Sequence, residues 1–214
     1  MVNYGLRLRI FAAALAALSG YVDALGFIYL GGFFVSFMSG NSTRLGVGLA
    51  MDWHHALISA GLILAFVFGV MLGTLFAYRG TRGRSITVLM LVTLLLTLAA
   101  GSHAGNLHTL AVALTAMAMG AINCIFVGSS GEVTTGVTYM TGTLVKLGQG
   151  IARNMVRPDK IAWGGYFWLW LGLIVGGIIG ALVYQVMGLS ALWLAVLASL
   201  LISLFASRLN LSEH

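Results

Sequence analysis

Two stretches decide how this chain is read: FVSFMSGNSTRLGVGLA at residues 34–50 and GVTYMTGTLVKLGQGIA at 136–152. They align without a gap at an offset of 102. Met38 meets Met140, Ser39 meets Thr141, and Gly40 meets Gly142. Arg44 meets Lys146, Leu45 meets Leu147, and Gly46 and Gly48 meet Gly148 and Gly150. The helix that follows agrees at an offset of 103, with Gly61, Gly69, Gly73 and Ala77 facing Gly164, Gly172, Gly176 and Gly180. Spaced small residues that recur over two segments indicate a duplication, with repeat one at 1–104 and repeat two at 105–214 of a single membrane domain.

The rest of the chain places the repeat in a bilayer. Of the 214 residues, 60% are hydrophobic and 7% charged, against about 25% charged in a soluble domain. Disorder needs the opposite balance, and the single Cys124 excludes a disulfide scaffold. Apolar segments fall at 8–30, 33–51, 55–78, 86–102, 107–128, 133–152, 161–186 and 189–207, the last two divided at Gly188. Arg7 and Arg9 precede an apolar run that continues through Asp23 with no convincing cleavage site, so it is read as a first membrane helix. The net charge of +6 comes from short basic loops, which indicates topology rather than nucleic-acid binding.

Those loops set the relation between the halves. Half one is basic at Arg7 and Arg9 and again at Arg79, Arg82 and Arg84; the matching places in half two carry no Lys or Arg. Half two is basic at Arg153, Arg157 and Lys160 and at Arg208, where half one is not. Opposite bias at equivalent places is what inverted repeats produce. Inversion requires an odd number of crossings per half, so one of four segments fails to cross. The second segment, with its central MSGNSTR or MTGTLVK, is the expected break. The fold class is then an all-α polytopic membrane protein with six transmembrane helices and two broken or re-entrant helices. Both termini are cytoplasmic. Nine of the eleven basic residues lie inside and none in an outer loop.

Ionisable residues at membrane depth mark functional sites by default. Asp23, Arg44, Lys146 and, nearer a boundary, Glu132 qualify. Gly40 and Gly142 permit a break, and Ser39, Asn41, Ser42, Thr141 and Thr143 are suited to cap the half-helix that follows. Such an end attracts anions. The expected substrate site is therefore formed by Ser39, Gly40, Asn41, Thr43 and Arg44 with Thr141, Gly142, Thr143 and Lys146. Asp23 and Glu132 are candidates for proton coupling, and the repeat equivalent of Asp23 lies near Asn123. The competing account pairs Asp23 with Arg44 and Glu132 with Lys146 as structural charges.

Other features take plainer readings. The small-residue stripes suit close helix packing within the protomer, with a homodimer face as the alternative. Trp163, Trp168, Trp170 and Tyr166 read as interface anchors and packing. Spacing does not require His54, His55, His103 and His108 to converge, so no metal site is assigned. No Walker loop, zinc signature or nucleophile elbow is present, so neither enzyme activity nor a cofactor is expected.

GYVDALGFIYLGGFFVSFMSGNSTRLG at 20–46, with its echo TYMTGTLVKLG at 138–148, resembles the YoaK-like family of small bacterial inner-membrane proteins. The resemblance implies a multi-pass protein of the inner membrane with six crossings, and no substrate. The functional expectation, a transporter for a small anion or carboxylate coupled to protons through Asp23, rests on the residues of this chain alone. A channel and a non-transporting structural or regulatory membrane protein are the rivals.

Overall fold

The computed structural model describes residues 6–79, 84–126, 137–156 and 163–208. Every regular element among them is helical: α1 (Leu6–Tyr29), α2 (Met38–Met51), α3 (Trp53–Arg79), α4 (Arg84–Ala104), α5 (His108–Ala121), α6 (Met140–Val156), α7 (Gly164–Met187) and α8 (Leu192–Arg208). Single-turn 3-10 segments follow α5 at Ile122–Cys124 and precede α8 at Gly188–Ala191. The protein is an all-α polytopic membrane protein. Leu6–Tyr29, Trp53–Tyr78, Ser85–Ala104 and Gly164–Arg208 are long and apolar enough to cross, and the last holds both α7 and α8. His108–Cys124 is a shorter apolar helix. Gly188, at φ +56°, ends α7 where the sequence places the division.

α2, with 14 residues, and α6, with 17, are short helices, as are α5 with 14 and α8 with 17. At about 1.5 Å per residue, the 14 residues of α2 reach about 21 Å and the 17 of α6 about 26 Å, both less than the hydrocarbon core of about 30 Å. The interruption precedes them. After Tyr29 the chain leaves the helix at Gly31 (φ +65°), where Gly32 N–H donates to Phe27 O at 2.8 Å and Gly31 N–H to Ile28 O at 3.3 Å. This is a glycine-ended helix of the Schellman type. Residues 30–37 then run without helix. The expected break inside MSGNSTR and MTGTLVK is corrected: both stretches are continuous helix. Their hydroxyls bond back along the helix, Ser42 Oγ to Met38 O, Thr43 Oγ1 to Ser39 O and Thr143 Oγ1 to Tyr139 O, and cap nothing. The residue at the α2 N-cap is Phe37, with no side-chain cap.

The core is made by helices from opposite halves. α1 runs along α7 and α5 along α3. Both contacts depend on glycine, because a side chain would meet backbone. A β-carbon at Gly172 would lie 2.7 Å from Ala13 O and one at Gly180 2.5 Å from Tyr21 O. Those at Gly20 and Gly176 would strike Leu173 O and Ala17 O. In the second contact, Gly120 and Gly69 would strike Phe66 O and Met117 O, and Gly73 would meet Ala121 Cα at 3.0 Å. The small-residue stripes are thus used inside the protomer, although Gly61 faces open space.

The two contacts match residue for residue, with one correction of register. Gly20 meets Leu173 as Gly120 meets Phe66, and Ala17 meets Gly176 as Met117 meets Gly69. Helices α1 and α5 correspond at the expected offset of 100, but α3 and α7 correspond at 107 (Gly69 to Gly176), about one turn from the gapless 103. Gly48 confirms the shift: its β-carbon would lie 2.6 Å from Ala56 N, while that of its counterpart Gly150 would lie 2.8 Å from Trp163 Cβ, again 107 residues on from Ala56. Half two holds the extra residues between α6 and α7. Glycine repeats every fourth residue in these helices, so a one-turn slip looks equally good in sequence.

Candidate functional site: two anchored interruptions

The non-helical stretch 30–37 carries backbone polar groups into an apolar setting, where each must find a partner. Two side chains supply them. The Asp23 carboxylate, on α1, accepts from the backbone N–H groups of Val35 at 2.9 Å and Ser36 at 2.8 Å through one oxygen. Asn41, fully buried on α2, accepts from Phe34 N–H at 3.1 Å and donates to Phe34 O at 2.6 Å. Phe27, Phe34 and Phe37 stack around this turn, with ring centroids 4.9 and 5.3 Å apart. Phe34 and Phe37 fill the space a β-carbon on Gly40 would need.

Half two repeats the device with a neutral group. Asn123, in the 3-10 turn after α5, accepts through Oδ1 from Thr138 N–H and from Thr138 Oγ1, each at 3.0 Å, and donates from Nδ2 to Met119 O at 2.9 Å. Asn123 is 2% exposed and Thr138 6%, so the amide works in a dry place. Thr138 stands where half one has Ser36, at the repeat offset of 102. A polar side chain on the first helix of each half therefore fixes the equivalent backbone N–H just ahead of each short helix. The sequence pairs Asp23 with Asn123; their partners, 12 to 15 residues away, are outside the reach of local spacing.

The expected site residues divide into separate groups. Arg44 does not pair with Asp23. Its guanidinium lies over the Phe33 ring, 5.0 Å from the centroid, with Phe33 in turn stacked 5.4 Å from His55 at the start of α3. Lys146 is exposed, its ammonium 5.8 Å from the Tyr166 ring at the start of α7. α2 packs chiefly on α3 and α6 on α7, so each cation sits against the helix that follows its own. Ser39, Thr43, Thr141 and Gly142 lie on exposed helix surface, while Thr143 is buried. The anion-attracting N-terminus of α2 has the Asp23 carboxylate in front of it already. Glu132 and its expected pairing lie outside the described residues.

Between α2 and α3, Asp52 Oδ1 accepts from His54 N–H at 3.0 Å and Asp52 contacts the His55 imidazole, capping α3. Partial desolvation opposes ionisation there. The hydrogen bonds from His55 and His54 and the His55 charge outweigh it and hold the carboxyl below its ordinary value. At the far end of α4, His103 and His108 are neighbours, a convergence the spacing does not demand.

Similarity to known proteins agrees with the membrane architecture. The family described as "Protein of unknown function (DUF1275)" matches residues 11–205. The chain belongs to this family. It is 35% identical over 202 residues to the UPF0700 transmembrane protein RA0705 of Rhizobium meliloti (strain 1021), an alignment covering 92% of this chain and 85% of that protein. No solved structure matches. The resemblance carried by residues 20–46 and 138–148 thus leads to a family of multi-pass membrane proteins, and the anchored interruptions fall within the matched region.

Proposed function

We propose that this protein is a membrane transporter for a small anion or carboxylate, built from two inverted three-crossing repeats. The observation that carries this reading is the matched pair of interruptions, Asp23 holding Val35 and Ser36 and Asn123 holding Thr138. Non-helical backbone at membrane depth survives where protein buries it or water reaches it, and transporters use such segments in pairs related by inversion. The exchange of contacts, α1 with α7 and α3 with α5, supports the same relation. Basic loops at non-equivalent places support opposite orientation, with both termini cytoplasmic in a bacterial inner membrane.

In this reading Arg44 and Lys146 serve opposite faces of the membrane, one drawing the anion in and the other receiving it. Asp23 makes one interruption sensitive to protons; Asn123 keeps the other insensitive. Protonation of Asp23 removes the charge that holds two backbone N–H groups and frees the segment ahead of α2.

Uptake of labelled formate, acetate and chloride into proteoliposomes, with and without a pH gradient, tests the proposal. Saturable uptake that falls in both Arg44→Gln and Lys146→Gln, while the melting temperature holds, supports it. Absence of uptake for every anion, with both variants stable, would favour a structural role. The separation of the two cations onto different helices is the observation that favours that second reading.

A further inference from the structure

The turn between α4 and α5 is built to hold two imidazoles together. α4 ends in a Schellman motif in which Leu107 N–H donates to Ser102 O at 2.8 Å and Asn106 N–H to His103 O at 3.0 Å. Asn106 takes the left-handed conformation, φ 61°, which Asn tolerates better than most residues. His103 is therefore fixed in the last turn of α4, and His108 opens α5 directly after Leu107. Their Nδ1 atoms lie 3.1 Å apart. Tyr29, at the end of α1, packs on both rings with centroids 6.3 and 6.2 Å away. His108 is exposed, so the pair is open to solvent.

Two geometries bring imidazole nitrogens this close. One is a hydrogen bond, which requires a proton on Nδ1 of one ring. The other is shared coordination of a metal ion: with nitrogen–metal distances of about 2.0–2.1 Å, a 3.1 Å separation corresponds to a ligand angle of about 100°. That angle lies between square-planar and tetrahedral values, and imidazole suits late first-row ions. Among the described residues no third His, Cys, Asp or Glu joins the pair, so any ion held there would take its other ligands from water.

We propose that His103 and His108 form a surface site for a late first-row divalent cation such as Cu2+ or Zn2+, chelated between their Nδ1 atoms. The site ties α4 to α5 at the end of the bundle where α1 also terminates. It stands independently of the transport reading, since neither histidine belongs to the interruptions.

The test uses the full-length protein, purified without a histidine tag, titrated with Cu2+ by calorimetry and examined by electron paramagnetic resonance. The expected result is one ion per chain with nitrogen hyperfine structure. Affinity should fall at least tenfold in His103→Ala and in His108→Asn, the second at an exposed position where the fold is retained. His54→Ala with His55→Ala should bind as the unaltered protein does. Binding should weaken as pH falls and the imidazoles protonate. No saturable binding, binding unchanged in both the 103 and 108 variants, or loss confined to the His54 and His55 variant would overturn the proposal and leave the pair as hydrogen-bonded only.

Discussion

The two interruptions solve one problem with different chemistry. In half one a carboxyl group on α1 holds two N–H groups, with Asn41 on α2 completing the backbone of Phe34. In half two an amide, Asn123, holds the backbone N–H and the hydroxyl of a single residue, Thr138. The amide shows that charge is not needed to fix such a segment. A carboxyl group carries a higher desolvation cost than an amide when ionised, so the two anchors differ in chemistry at the same place. Under the proposed transport function, this difference makes only the half-one interruption proton-sensitive.

The comparison breaks most visibly where helices from opposite halves touch. Gly176→Val and Gly69→Val place a side chain on the carbonyl oxygens of Ala17 and Met117, in matched contacts. Each should cost about 3 kcal/mol or more, at the upper end of over-packing, read as a large fall in melting temperature or loss of the monodisperse peak in detergent. Gly148, in a helix with open space around it, should accept alanine with a gain of about 0.5–1 kcal/mol. Equal tolerance of valine at 69 and alanine at 148 would break the interlocked arrangement.

The next effect separates the anchors. Asn123→Ala leaves the buried Thr138 N–H without its partner and should cost about 1–3 kcal/mol. Asp23→Ala should cost about as much, because two N–H groups lose one acceptor. Asp23→Asn should keep most of the stability, since position 123 shows an amide performing the task, while removing any dependence of uptake on a pH gradient. A destabilisation in Asp23→Asn as large as in Asp23→Ala would show that the two anchors are not equivalent.

The smallest effect is at the cap of α3. A carboxyl held below its ordinary value contributes stability above the unfolded pKa of about 3.8, lost as pH falls through the lower folded value. Melting temperature below pH 4 should therefore drop less in Asp52→Asn, which keeps an N-cap without the charge, than in the unaltered protein.

Much of this molecule is legible in its sequence. Apolar lengths place the eight α-helices of the described residues, and Gly188 divides α7 from α8 at the position the sequence indicates. The offset of 102 also identifies the two short helices, α2 and α6, that follow the anchored turns. What escapes local reading is non-local. GGFFVSF at 31–37 looks like apolar helix, and its interruption depends on acceptors supplied by Asp23 and Asn41. Local sequence therefore points to a break at Gly40, a residue that instead packs against Phe34 and Phe37 inside a continuous helix. The register of α3 against α7 is hidden by glycine periodicity. The His103–His108 pair depends on an Asn in the left-handed conformation, a signal that SHAGNLH does contain.

Side-specific cysteine labelling reports whether the two halves are inverted in the membrane. On a Cys124→Ala background, single cysteines at 53, 82 and 157 are exposed to a membrane-impermeant maleimide in intact cells. The account predicts that position 53 labels from outside and that 82 and 157 label only after the membrane is opened. Labelling of position 82 in intact cells would contradict the six-crossing inverted arrangement.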